Sequence, residues 1–352
     1  MKRRISFLIV TMLILVLSLT TASFAQDKPI KLTLADSTAP VGLRGNGVKI
    51  FIEEIEKYTN GRVEVEVYWG ESLLKAKEIL NGVQEGVVDM GYINPNYYPK
   101  QLLLNGSFAI YPRGPVEYKN AYDAFLKCYQ EVPELSEEFS SINQKQLYIN
   151  TILPMTVTST KPFTSFEDFK GKRIRASSRW YLAQLAGAGA TPVSVPWGDC
   201  YMALQTGTID AVYTNLDGIH RTKLDEAASN IFTMREIWIA MPQFYTINLD
   251  TWNNLPDDVQ SQLLEAGKSA SLRFSELYDN EWEKIIEEQK DLGYTVSHAS
   301  EEDIEKWMAM PVIDQMKEDW IKEAEEKGIE NAKQIVSTID GIINEAIEKE
   351  KQ

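Results

Sequence analysis

From residue 30 the chain alternates between two periodicities. "IKLTLAD" (30–36) and "VEVEVYW" (63–69) carry apolar side chains at every second position, the period of a half-buried strand. Between them Ile50, Phe51, Ile55 and Tyr58 recur at helical spacing, and "TNGR" (59–62) supplies the stop. An amphipathic run, "LLKAKEILNGVQEG" (73–86), predicts a second helix, and "VDMGYI" (88–93) a third strand. Strand, helix, strand, helix, strand at this spacing indicates parallel βαβ units. The order recurs as "KRIRAS", "WYLAQLAGA", "TPVSV", "GDCYMALQTG" and "IDAVYTN". Between the two units lies "YINTILPMTVTSTKPF" (148–163), β-rich and without a loose linker. Two α/β domains joined by strands predict a hinge. After "FYTINLDTWNNLP" (244–256) the spacing becomes helical and the Glu/Lys runs read as solvated helix faces.

The N-terminus departs from this pattern. Lys2, Arg3 and Arg4 precede a sixteen-residue apolar run, "ISFLIVTMLILVLSLT", and Ser23 and Ala25 form a small-residue cleavage site. A membrane span needs roughly twenty residues, so the segment reads as a signal peptide cleaved near Ala25, with an uncleaved anchor as the alternative. The expected location is therefore periplasmic. Removing residues 1–25 takes away three cations and shifts the net charge from -15 to -18. That balance argues against nucleic acid and anionic lipid as partners, since both require a basic face. Export permits a disulfide between Cys128 and Cys200, the only two cysteines, but two do not make a framework, and both read as buried small hydrophobes.

Equipment for catalysis is sparse. The histidines are His220 and His298, no serine sits in a G-x-S-x-G elbow, and no HExxH, CxxC, EF-hand or P-loop pattern occurs. No catalytic residue, metal or cofactor is assigned. Cys200 with His220 is the one conceivable nucleophilic pair, and the structural reading of that cysteine outweighs it. One charged stretch does change the picture. "GKRIRASSRW" (171–180) places Arg173 and Arg175 on one face of a strand that ends in small residues. That is where an α/β protein presents ligand-binding groups.

"TSFEDFKGKRIRASSRWYLAQLAGAGATPVSVPWGDCYMALQTGTIDAVYTN" (164–215) resembles the second domain of DctP-type solute-binding proteins of TRAP transporters. "TNGRVEVEVYWGESLL" and "GVQEGVVDMGYI" extend the resemblance to the first domain. It implies an α/β, two-domain periplasmic binding protein type II fold with hinge-joined domains and C-terminal helices. The expected divisions are signal peptide (1–25), first domain (26–152), second domain (153–243), and a return to the first domain with the C-terminal helices (244–352). The function it implies is capture of a small organic acid in the interdomain cleft and delivery to TRAP membrane permease subunits, with no enzymatic step. In that family the arginine ending "KGxxxR" clamps the ligand carboxylate, which here is Arg175, leaving Arg173 and Arg179 solvated. Ser178, Trp197, Tyr213, Thr214, Asn215 and Gln243 correspond to further cleft positions, and the first domain offers Asp36, Asn94 and Tyr97.

The sequence departs from the family at Met155, where many members carry a second arginine. Fewer cations imply a monocarboxylate with an apolar or aromatic body, which Tyr97, Trp180, Trp197 and Tyr213 would suit. An amino acid stays open if Asp36 or Asp217 lines the cleft. The rival readings are a binding protein of this fold serving a sensor or another transporter, and an exported enzyme.

Overall fold

A computed structural model describes residues 28–237 and 242–351. The signal-peptide reading falls on residues outside the described ones. The first sheet contains β1 (Ile30–Ala35), β2 (Val63–Tyr68), β3 (Met90–Ile93), β4 (Gln144–Asn150) and β10 (Gln243–Asn248). Its order is β2-β1-β3-β10-β4, with β1 parallel to β2 and β3, and β10 antiparallel to β3 and β4. The second sheet contains β5 (Met155–Ser159), β6 (Arg173–Arg175), β7 (Thr191–Val193), β8 (Ala211–Asn215), β9 (Asn230–Thr233) and β11 (Thr295–His298). Its order is β11-β9-β5-β8-β6-β7. The chain passes between the sheets from β4 to β5 and again from β9 to β10. The β-rich passage therefore supplies one strand to each sheet.

Helix Gly42–Thr59 buries Val48, Phe51 and Ile55 against the first sheet. It ends where the sequence said it would, with Asn60 and Gly61 both at positive φ, the left-handed conformation that closes a helix. The second predicted helix is shorter than its apolar pattern. Only Ile79–Gln84 is helical, because the carboxylates of Glu71 and Glu78 accept the backbone N–H groups of Ala76 and Lys75, fixing 73–78 as turns.

The C-terminal part, expected as a return to the first domain followed by helices, packs on both sheets. Helix Asp257–Asp291 lies on helix Gly42–Thr59 and β4, so close that a Cβ at Gly267 would fall 1.8 Å from the Leu147 carbonyl oxygen. Beyond it, β11 pairs with β9 of the second sheet. Helices Glu301–Met308 and Pro311–Glu326 then bury Trp307 and Trp320. The Trp307 ring lies 5.1 Å from Phe169 and 5.5 Å from Tyr213. The apolar stripes of these helices find their partner in the second core, which is larger than the first. Among the described residues no helix is long and apolar enough to cross a membrane. Cys128 and Cys200 are buried free thiols, as their reading as small hydrophobes expected.

Candidate functional site

The ends of the two sheets face each other across a cleft. On the first-domain side its floor is a polar network in which the charges are paired. Asp36 follows β1, and its carboxylate accepts from the Thr38 backbone N–H at 2.7 Å, Arg44 Nη2 at 3.2 Å and Tyr245 Oη at 2.8 Å. Arg44, in the first turn of helix Gly42–Thr59, also donates to Ser37 Oγ and holds its guanidinium 4.0 Å above the Tyr92 ring. Tyr92 in turn donates to Gln243 Oε1. Burial alone would lower the pKa of Arg44, yet Tyr92, Asp36 and Tyr245 leave it raised. Charge, cation–π contact and hydrogen bonds thus compensate its desolvation.

The second-domain wall is under-satisfied. Arg175 stands at the carboxyl end of β6 and is 5 % exposed. Its Nε donates to the Val195 carbonyl at 2.9 Å, and its guanidinium lies 5.3 Å from the Trp197 ring. Nη1 is buried without a hydrogen-bond partner. Burial lowers its pKa, and no carboxylate offsets that cost. Arg173, on the same strand face, lies at the far end and forms a bidentate pair with Asp210. Ser178 caps helix Arg179–Gly187 by accepting from the Tyr181 N–H. At the carboxyl end of β8, Thr214 Oγ1 donates to Asn215 Oδ1, and Asn215 Nδ2 donates to Asp217 Oδ1 at 2.6 Å. One turn on, Arg221 packs its stem against Gly42 of the first domain and leaves a buried Nε unpartnered.

Two connected spaces result. An outer cleft of about 900 Å³ has Tyr97, Trp180, Trp197 and Trp320 in its walls, with Arg175 and Ser178 between them. An inner pocket of about 250 Å³ is polar, and Arg44, Arg175 and Arg221 all line it. Of the residues expected at the site, Arg175, Ser178, Trp197, Thr214, Asn215, Gln243, Asn94 and Tyr97 line one space or both. Two do not. Asp36 lies beneath the pocket, its carboxylate committed to Arg44 and Tyr245. It is therefore no free partner for a ligand ammonium, whereas Asp217 does line the pocket. Tyr213 is core: one residue further from the end of β8 than Thr214, its ring packs between Trp307 and Tyr181. Met155 is also core, 1 % exposed. Arg44 and Arg221 went unrecognised in the sequence, since neither "GLRGNG" nor "GIHRTK" carries a local signature.

The nucleophile reading fails on geometry. The Cys200 thiol donates to the Pro196 carbonyl, and burial raises its pKa, the opposite of an activated thiol. Both ring nitrogens of His220 are held, by Asp225 at 2.8 Å and Glu288 at 3.0 Å.

Two lobes around a cleft, with one buried cation lacking a counter-charge, define a protein built to enclose a small anion. The chain belongs to the DctP family, described as bacterial extracellular solute-binding protein, family 7, whose model matches residues 34–326. It is a DctP-type TRAP solute-binding protein. It is 29% identical over 310 residues to the C4-dicarboxylate-binding periplasmic protein DctP of Rhodobacter capsulatus, covering 86% of this chain and 91% of the relative. The ectoine-binding periplasmic protein TeaA of Halomonas elongata is 25% identical over 86% of this chain and 89% of its own length. Among solved structures, a TRAP periplasmic solute-binding protein from Desulfovibrio salexigens superposes with a TM-score of 0.76 at 25% identity, covering 89% of this chain and 95% of that one. A marine metagenome TRAP protein specific for aromatic acids, solved with 3-hydroxybenzoate, gives 0.78 at 22% identity, over 91% of this chain and 99% of that one. At that identity the second likeness establishes the fold.

Proposed function

We propose that this protein is exported by its N-terminal signal, captures a small monocarboxylic acid with a cyclic or aromatic body, and delivers it to TRAP permease subunits without chemical change. The observation that carries this reading is Arg175: desolvated, braced at Nε, and left with a buried Nη1 and no acidic partner. A ligand carboxylate would complete a charge-assisted pair there. Trp180, Trp197 and Tyr97 beside it suit a flat apolar body. Closure about the crossings between the sheets, of which 151–154 is one, would bury the ligand between them.

A dicarboxylate is the second reading, favoured by the name of the Rhodobacter relative and by Arg44 and Arg221 beside Arg175. Charge balance weighs against it. Arg44 is paired with Asp36 and Arg221 feels the charge of Asp217, whereas no carboxylate acts on Arg175. A thermal-shift screen of mono- and dicarboxylic acids tests the proposal, since a ligand at 100 times its Kd stabilises by about 2.7 kcal/mol. Stabilisation by ring monocarboxylates is the expected result. Stabilisation confined to diacids would overturn the monocarboxylate reading, and none by any acid would overturn carboxylate capture.

A further inference from the structure

The inner pocket holds more donors than one carboxylate uses. Arg44 Nε and Arg221 Nε are each buried without a hydrogen-bond partner, in addition to Arg175 Nη1. All three side chains line the same small space. Arg44 comes from the first domain and Arg221 from the second. The two like charges lie near enough for Arg44 to work against the charge on Arg221, a cost that an intervening oxygen would relieve. Buried guanidinium N–H groups without acceptors carry a desolvation penalty until something accepts from them.

We propose that Arg44 and Arg221 form a second subsite, one donor from each domain, for a neutral oxygen acceptor of the bound acid: a ring carbonyl, an amide oxygen or a hydroxyl. This rests on the carboxylate reading above and sharpens it. The ligand is a monocarboxylic acid with a second oxygen set away from the carboxylate. Neutrality follows from the charges present in the pocket: Asp36 is paired with Arg44, Asp217 acts on Arg221, and no carboxylate acts on Arg175. Because the two donors belong to different lobes, the second oxygen would join the lobes as well as select the ligand. Asn94, Asn215 and Gln243 have their side-chain oxygens engaged by Asn96, Thr214 and Tyr92. The amide N–H groups of Asn94 and Gln243 stand beside the arginine donors in the same pocket.

Calorimetric titration of the purified protein with two matched pairs tests this: pyroglutamate against cyclopentanecarboxylate, and 3-hydroxybenzoate against benzoate. In the wild type the oxygenated member of a pair binds at least about tenfold tighter, as expected where buried donors would otherwise stay unpaired. Arg221→Gln brings that ratio to within about threefold, and Arg44→Lys, which keeps a cation on Asp36, reduces it partly. Arg175→Lys weakens both members by a similar factor and leaves the ratio standing. A wild-type ratio near one, or an unchanged ratio in an Arg221→Gln protein with wild-type melting temperature, overturns the subsite while the clamp survives. Indifference of every acid to Arg175→Lys, or no binding of any of the four, overturns the carboxylate reading and the subsite with it.

Discussion

Arg44 and Arg175 face the same pocket from opposite lobes and are treated in opposite ways. Arg44 has a carboxylate at 3.2 Å, a hydroxyl and an aromatic face. Arg175 has one carbonyl and the distant Trp197 ring. Both are desolvated, yet only the first is compensated within the protein. In charge the first-domain wall is finished within the protein, whereas the second-domain wall is finished by what binds to it. An arginine in a cleft is thus diagnostic by the counter-charge it lacks, and burial alone would not separate these two.

The largest effect should come from breaking the finished wall. Asp36→Ala removes three hydrogen bonds and strands Arg44 and Tyr245, so unfolding stability should fall by about 3–5 kcal/mol, the range for one partner of a buried pair. Urea melts of the unliganded protein measure it. A loss below about 1 kcal/mol would mean that water repairs the network and that the two walls differ less than their contacts suggest.

The unfinished wall should behave conversely. Arg175→Ala should weaken binding of the screened acid by about 2–5 kcal/mol, because the buried carboxylate loses its partner. Stability of the empty protein should hold or rise, since an under-compensated charge has been removed. Arg175→Lys should bind more weakly than wild type despite its charge, since an ammonium lacks the bidentate fork. Calorimetry paired with melting curves separates the two quantities. Equal losses in both would make Arg175 a structural residue.

How far this contrast could be read from sequence depends on the range of the interactions. Strands 30–35 and 63–68 were legible because alternation is local, and Arg175 because it ends a strand within a run of familiar motifs. Helix 79–84 was overextended because Glu71 and Glu78 turned back onto the backbone, which apolar spacing does not register. Asp36 looked available because its partner Tyr245 is distant in the chain and Arg44 sits in an unremarked turn. Tyr213 reads as a cleft residue in the sequence because being one residue short of a strand end matters only once Trp307 is packed beneath it. The inner pocket escaped altogether: Arg44 and Arg221 meet only after two domains fold and approach.

A smaller effect concerns how the second wall is held. His220 precedes Arg221 at the end of helix Leu216–Arg221 and bridges Asp225 and Glu288, tying that helix to helix Asp257–Asp291. Its hydrogen bond to Asp225 outweighs burial and raises its pKa above the ordinary 6.5. A raised folded-state pKa gives stability that is fully present below the unfolded value and is lost as pH rises through the folded one. The stability difference between wild type and His220→Gln should therefore be greatest at low pH and shrink above neutrality. A difference that does not vary with pH would mean the imidazole is held by packing alone.

The smallest effect is expected at Arg173, and it tests the comparison from within one strand. Arg173 and Arg175 share a face and a charge, so any diffuse electrostatic account of binding treats them alike. They differ in position along β6: Arg173 is at the end away from the cleft, its side chain 44% exposed and paired with Asp210, whose pKa it holds down to about 2. Arg173→Ala should leave ligand affinity within about twofold of wild type, since its charge is solvent-exposed and already paired with Asp210. Stability should fall only slightly, as expected for a solvent-exposed pair. A depressed carboxylate pKa gives stability that is present above the unfolded value of 3.8 and is lost as pH falls through the folded one. The difference between Arg173→Ala and wild type should accordingly persist from neutrality to about pH 4 and fade only below it. Affinity losses of similar size at 173 and 175 would show that the lobe attracts anions as a charged surface, and the distinction between a finished and an unfinished wall would fall with it.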